Sequence, residues 1–386
     1  MKQKIVFGSV LIIGAFISCK EKYETPVTQL NLNYLVVDGT IINGADSTII
    51  RLSRTQLLDQ NPATKGERNA QVTLEDTDGN TLYNFIQLNE KGDYAVPGMD
   101  LDTNKKYHLR INTANGSQYV SDDLAMKKTP PIDSISWQQN NDGVTIYANT
   151  HDPQNNTTYY SWKYAETFDY YSNYYSTLTY NPAGTTVDDM FPDRPIENLI
   201  YHCWLTVRSN QILLGSSVKL SADVISLSPL RFIPRNSQEI NVVYSILVDQ
   251  FAISKEAYQY FENIKKLSEQ TGSIFDAQPS QLTGNIHCIN KPAEPVLGFL
   301  TVSSLQQKRI FIRNEEVKPW RFVLACDPEK NVPINIDSFR YYFGGPSPLL
   351  IPTAEIFIPP AIGGATPFCV DCTLRGGTPV KPDFWP

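Results

Sequence analysis

Residues 70–85 read AQVTLEDTDGNTLYNF. Val72 and Leu74 alternate with Gln71, Thr73 and Glu75, the period of a strand with one buried face. A second run, residues 81–85, follows Asp78-Gly79. Asp-Gly between two such runs predicts a tight antiparallel hairpin, with positive φ at both central positions. The pattern extends outward. YLVVDGTI (34–41) and STIIRLSRT (47–55) precede it. GDYAVPG (92–98) and KKYHLRINTANGSQYVSD (105–122) follow, the latter with a second such turn at Asn115-Gly116. Six or seven short strands in about a hundred residues describe a β-sandwich. It is placed at 32–128, because Pro130 and Pro131 stop any further ladder.

A second, larger β-rich domain is placed at 129–386. Its strands are read in DSISWQQNNDGVTIYANT (133–150), TTYYSWKYAET (157–167), YHCWLTVRS (201–209) and INVVYSILVDQFAIS (240–254). One helix stands out at about 254–270, SKEAYQYFENIKKLSEQ. Ser254 caps it, Tyr258, Phe261, Ile264 and Leu267 line one apolar stripe suited to packing on a sheet, and Gly272 ends it. Prolines and glycines dominate beyond 345, and the tail CVDCTLRGGTPVKPDFWP (369–386) reads as extended, held by its aromatic end. Composition agrees: Tyr (21) and Phe (17) far outnumber Met (4), which favours strands over a helical bundle.

The amino end carries an address. Lys2 and Lys4 precede an apolar run from Ile5 to Ile17, too short to cross a bilayer and of the size of a signal-peptide core. Phe16-Ile17-Ser18-Cys19 resembles a bacterial lipobox, with Phe16 in place of the usual Leu. That resemblance makes 1–18 a lipoprotein signal peptide and Cys19 the first mature residue, acylated on sulfur and amine. More than one acyl chain is what stable anchoring requires. Lys20 and Glu21 then resemble the surface-export signal of Bacteroidota lipoproteins, interrupted here by Lys22. Residues 19–31 are polar and aperiodic, a tether. The expected location is the outer membrane, facing the cell surface.

The net charge of −7 falls to −9 once residues 1–18 and their two lysines are removed, and no basic tract appears. A nucleic-acid partner is therefore excluded. After Cys19 is acylated, five cysteines remain, Cys203, Cys288, Cys326, Cys369 and Cys372. An odd number leaves at least one thiol unpaired. Cys369 and Cys372 form a C-x-x-C for which a disulfide, free thiols and a metal all stay open. Pro367 before the pair and Gly376-Gly377 after it predict no helix there, and so no thiol activated by one.

Catalytic motifs are not found. His108, His151, His202 and His287 lack ligand spacing, and there is no nucleophile elbow or phosphate loop. Asp76-Thr77-Asp78-Gly79 resembles the start of a calcium loop, but Gln87 stands where the bidentate Glu belongs. The pairs Asp122-Asp123 and Asp188-Asp189 point to opposite faces if they lie on strands, so neither makes one site. No catalytic residue, cofactor or metal is assigned. The stretch WKYAETFDYYSNYYSTLTY (162–180) is densely aromatic. It reads equally as a binding platform, with Trp162, Tyr170, Tyr171, Tyr174 and Tyr175 as contact residues and Arg194 beside them, or as cross-strand packing.

Several stretches together resemble one family: VVDGTI and STIIRLSRT, AQVTLEDTDGN, GDYAVP, TPPIDSI, TYYSWKYAET, YHCW, QTGSIFDAQPSQLTGNIH, VLGFLTVSS and CVDC with GGTPVKPDFWP. The chain is similar to the Bacteroidota lipoproteins catalogued as domain of unknown function 4249 (DUF4249). The resemblance implies an N-terminal sandwich of immunoglobulin or fibronectin type, or of carboxypeptidase-regulatory type. It also implies an outer-membrane lipoprotein encoded beside TonB-dependent transporters. The expectation is a non-enzymatic, lipid-anchored lid or docking subunit of such a β-barrel in nutrient uptake. The alternatives are a surface glycan- or peptide-binding module and an accessory subunit of outer-membrane assembly or secretion machinery.

Overall fold

The structure, a computed structural model, describes residues 33–56, 65–269 and 284–386. The chain is mainly β, with few helices. Its first part forms β1 (Leu35–Asn43), β2 (Thr48–Arg54), β3 (Lys65–Gly66), β4 (Gln71–Asp76), β5 (Thr81–Gln87), β6 (Asp93–Val96), β7 (Lys106–Asn112), β8 (Gln118–Ser121) and β9 (Leu124–Ala125). The hairpin of residues 70–85 is β4–β5. Its turn departs from the expected geometry: only the glycines take positive φ, 82° at Gly79 and 84° at Gly116. The reason is local. The Asp76 carboxylate accepts the amides of Asp78 and Asn80 (3.0 and 2.9 Å), so the side chain closes the turn, and a bulge at Leu74/Glu75 absorbs the extra residue.

The strands run β8-β7-β4-β5-β6-β2-β1 in hydrogen-bonded order. β5 turns the corner, pairing with β4 through residues 81–85 and with β6 at Ile86 and Gln87. The sheet therefore curls, and both halves fill one core with Leu35, Ile50, Leu52, Val72, Leu74, Leu109 and Tyr119. Burial of such side chains contributes roughly 1.5–3 kcal/mol each.

A second sandwich follows. It contains β10 (Ile132–Gln139), β11 (Gly143–His151), β12 (Tyr159–Tyr171), the short α1 (Val187–Met190), β13 (His202–Arg208), β14 (Leu213–Ser216), β15 (Val224–Pro234) and β16 (Val243–Ala252). Sheet β10-β11-β15 faces sheet β13-β12-β16, with β14 on the same edge of β12 as β13. Ile146 and Ile233 on one side meet Trp162, Phe168 and Ile246 on the other.

The chain then returns to the first sandwich. α2 (Lys255–Glu269) starts where Ser254 Oγ accepts the Ala257 amide at 3.1 Å. Its most buried residues are Ala257 and Tyr260, with Phe261 half-buried, so the packed face is rotated from the stripe read in the sequence. Gly272 lies outside the described residues. β17 (Ile286–Cys288) then adds to β8, and β18 (Thr301–Ser304) pairs in parallel with β1. Only afterwards does β19 (Gln306–Arg313) join β16, completing an immunoglobulin-like layout in the second sandwich. The first sheet is thus not closed by residues 32–128 alone. Ile286, Cys288, Val296, Leu300 and Val302 belong to its core.

Buried polar groups fasten the return. Asn285 mimics a strand partner for Leu300, accepting its amide (2.8 Å) and donating to its carbonyl (2.9 Å). Gly298, at φ +129°, lies so close to β1 that a Cβ would sit 2.0 Å from the Val37 carbonyl oxygen. The Gly298 amide donates to the Tyr260 hydroxyl (2.9 Å), which ties α2 down. Thr129, in the linker between sandwiches, bonds the Ser303 and Ser304 side chains and accepts the Ala252 amide.

A third unit was not apparent in the sequence. β20 (Lys330–Pro333), α3 (Ile336–Phe343), β21 (Ile351–Phe357) and β22 (Pro360–Ala365) form a small sheet, β20-β22-β21, with one helix. Val332, Phe339, Phe343 and Ile362 pack on Leu178, Met190 and Phe191 from the β12–β13 connection. A further turn, α4 (Pro367–Val370), begins at Pro367. The expectation of no helix there is corrected: proline is favoured at the first helical position, where its missing N–H has no intrahelical role. No described helix is long and apolar enough to cross a membrane.

Two outcomes follow from these contacts. Asn285→Ala leaves the buried Leu300 amide and carbonyl unpaired, at about 1–3 kcal/mol per group. Urea unfolding will show a loss of about 2–6 kcal/mol. Acid acts through Glu75 and Asp93. Burial raises the Glu75 pKa, but bonds from Arg110, Thr73 and His108 outweigh it and hold the carboxyl below its ordinary value. Arg51 holds Asp93 low in the same way. A depressed carboxylate pKa contributes stability that is complete at neutral pH and is lost as pH falls through the folded value. Stability should therefore decline from about pH 4.5 downward. Urea midpoints at pH 7 and pH 3 should differ less in Arg110→Met than in the parent chain.

Candidate binding surface

Alternation along β12 sorts its aromatic residues. Tyr160, Trp162, Tyr164, Phe168 and Tyr170 face the core of the second sandwich. Trp162 is 1% exposed, and its indole N–H donates to Gln250 Oε1 at 2.8 Å. Gln250 in turn donates to the Pro130 carbonyl and the Thr150 hydroxyl, so every polar atom there is paired. Tyr170 is 1% exposed and donates to the Cys372 carbonyl at 2.9 Å. The sequence left both open between contact residues and cross-strand packing. They are core residues, because the strand period turns even-numbered positions inward.

Tyr171 and Tyr175 are open to solvent, at 42% and 47% exposure. They belong to a run that the linear stretch does not contain. Tyr201 packs between them, tilted against Tyr171 at 5.2 Å and edge-on to Tyr175 at 5.0 Å. His202 lies 4.1 Å from Tyr171 and 4.1 Å from Trp204. Register explains this: β12 pairs with β13 so that Tyr171 faces His202 and Asp169 faces Trp204. His202 Nε2 meets the buried Asp169 carboxylate at 2.9 Å, which sets the ring plane. Partial burial, then the nearby Asp169 charge, raise the Tyr171 pKa, so its phenol stays neutral. The signal in the sequence was YHCW, an alternating aromatic run that acquires meaning only with the register.

Tyr174 is half-buried and committed to structure, its hydroxyl donating to the Asp327 carbonyl at 2.9 Å. Arg194 does not join the surface. It turns inward to the Ser176 hydroxyl and Leu178 carbonyl, and burial lowers its pKa.

Two disulfides brace the platform. Cys369 and Cys372 are not bonded to each other: Cys372 pairs with Cys203 on β13, and Cys369 with Cys326. The helical turn over 367–370 directs the two thiols to different neighbours. Cys288 is buried and free. Each bridge closes a loop, of 169 and 43 residues, worth on the order of 5 and 4 kcal/mol respectively in the chain-entropy account. From Cys372 the tail runs beside β13, where Thr378 and Trp204 exchange backbone bonds at 2.9 and 2.8 Å. It ends with Phe384 over Arg309 and Trp385 against Phe311, both on β19.

Other groups weighed in the sequence are separated. Asp122 meets His287 (2.9 Å) and Asp123 meets His108 (3.2 Å). Thr186 caps the turn of α1, its hydroxyl accepting the Asp189 amide at 3.2 Å, and the Thr185 hydroxyl donates to the Asp189 carboxylate at 3.2 Å. Among the described residues no group of three or more His, Cys, Asp or Glu side chains could hold a metal ion. Cys19, Lys20 and Glu21 lie outside the described residues.

One family model, a domain of unknown function (DUF4249), matches residues 20–309. No curated protein matches. Among solved structures, trypsin-activated α2-macroglobulin from Escherichia coli is 10% identical with a TM-score of 0.19; the match covers 58% of this chain but only 15% of that one. The chicken interferon gamma receptor alpha chain is 8% identical with a TM-score of 0.15, covering 57% of this chain and 89% of that one. Likenesses at these scores carry no argument about this chain.

Alanine substitution separates the two classes of aromatic residue. Trp162→Ala and Tyr170→Ala should each cost about 3–5 kcal/mol of stability. Tyr171→Ala and Tyr175→Ala should cost about 1 kcal/mol or less, the worth of an exposed ring pair. Urea unfolding of the four variants checks this.

Proposed function

The chain belongs to the DUF4249 family, and on that premise we propose that it is a lipid-anchored outer-membrane protein, non-enzymatic, serving as the lid or docking subunit of a TonB-dependent β-barrel in nutrient uptake. The observation that carries this reading is the aromatic run Tyr175–Tyr201–Tyr171–His202, with Tyr171 and Tyr175 exposed and Tyr201 and His202 half-buried against them, beside two disulfides. Tyrosines combine large contact area with a polar tip and lose little side-chain entropy on binding, so they concentrate affinity at protein interfaces. Pre-braced surfaces bind more tightly because less ordering remains to be done. The disulfides also suit an oxidising envelope compartment better than a cytosol. Acyl chains at Cys19 would hold this surface in the same membrane as a barrel, where effective concentration lets a modest interface suffice.

The test is extraction of a tagged chain from its native envelope in mild detergent, with identification of what accompanies it. A TonB-dependent barrel should co-purify, and should fall at least tenfold in Tyr171→Ala/Tyr175→Ala/Tyr201→Ala, the scale of losing a hot spot. Cys19→Ser should move the chain out of the outer-membrane fraction. Recovery without any barrel overturns the docking role. Undiminished recovery of a barrel with the triple variant overturns the assigned surface.

A further inference from the structure

The weld between the two sandwiches leaves a cleft of about 470 Å³ that is separate from the tyrosine run. That volume is within the range of small-molecule sites, which favour junctions between domains. Its floor is apolar: Phe251 at the end of β16, Phe261 and Ile264 on α2, and Leu213 on β14. Its mouth is polar and of two kinds. The charged groups are of both signs. Arg51 is bonded to Asp93 at 2.6 and 3.1 Å, and Asp38 and Lys163 bring one charge of each sign to the mouth without an ion pair of their own among the described residues. Ser161, Asn210 and Gln211 are uncharged and make no side-chain hydrogen bond among the described residues.

We propose that this cleft binds a small, neutral amphipathic molecule, an aryl or alkyl body carrying an uncharged head rich in hydroxyl groups. The apolar floor takes the body, since removing such surface from water contributes roughly 25 cal/mol per Å². Asn210 and Gln211 each offer amide donors and an acceptor, and Ser161 a hydroxyl, which match adjacent hydroxyls of either polarity. A charged head of either sign would meet a like charge in the same mouth, Asp38 or Lys163, and would lose hydration without full compensation.

The experiment is calorimetric titration of the purified full chain with phenyl β-D-glucopyranoside, beside phenyl β-D-glucuronide and glucose. The first should saturate at one site. The glucuronide, with the same ring and a carboxylate, should bind at least tenfold more weakly, and glucose, without the ring, should not saturate. Asn210→Ala/Gln211→Ala, at exposed positions, should weaken binding severalfold, Phe261→Ala at least tenfold, and Tyr171→Ala/Tyr175→Ala/Tyr201→Ala not at all. Absence of saturation by the glucoside overturns the site. Glucuronide binding equal to that of the glucoside overturns the ligand class. Binding indifferent to the Asn210/Gln211 and Phe261 variants, or lost with the tyrosines, overturns the location.

Discussion

The open edges of the first sheet are the constraint on which the rest of the molecule depends. A curled sheet that stopped at β8 and β1 would leave two rows of unpaired backbone groups, which are ready templates for pairing with another chain. Residues 286–304 cover both ends, antiparallel at β8 and parallel at β1. Between those strands the buried Asn285 side chain supplies the bonds that a further backbone segment would have made. Because this segment is inserted between β16 and β19 of the second sandwich, satisfying one sheet fastens the other. Two modules that a linear reading separates at residue 128 become one fastened body.

That fastening has consequences for the surfaces. Thr129 and Gln250 bring the linker, β18 and the end of β16 into a single hydrogen-bonded node. The linker prolines therefore mark a boundary without acting as a hinge. The cleft beside α2 exists because two sandwiches and a helix are held at fixed separation. At the opposite end of β12, disulfides and the C-terminal tail do the equivalent work for the tyrosine run. Both places rest on backbone fixed by these contacts, which lowers the entropic cost of binding.

Much of the local structure was legible in the chain. The hairpin of residues 70–85, the strands around it and the Ser254 cap of α2 appear where their residues predict them. The turn chemistry was read less well: Asp76 took over closure of the hairpin, so φ turned positive at glycine alone. The buried face of α2 was displaced because Ala257, too small to register as an apolar landmark, is its most deeply buried residue. The third unit, with α3, was missed because its core borrows Leu178, Met190 and Phe191 from more than a hundred residues upstream.

The sequence by itself determined what neighbouring residues decide among themselves: strand period, turn positions, the helix start and the mainly β class. Interactions that reach only a few positions along the chain leave a pattern that can be read there. Tertiary structure alone decided which tyrosines meet solvent, which cysteines join, and which strands seal the first sheet. Thr40 and Thr301 pair across 261 positions and Cys203 and Cys372 across 169. At such separations the partner is chosen by register and burial rather than by local propensity, and one step of register turns a core residue into a surface one.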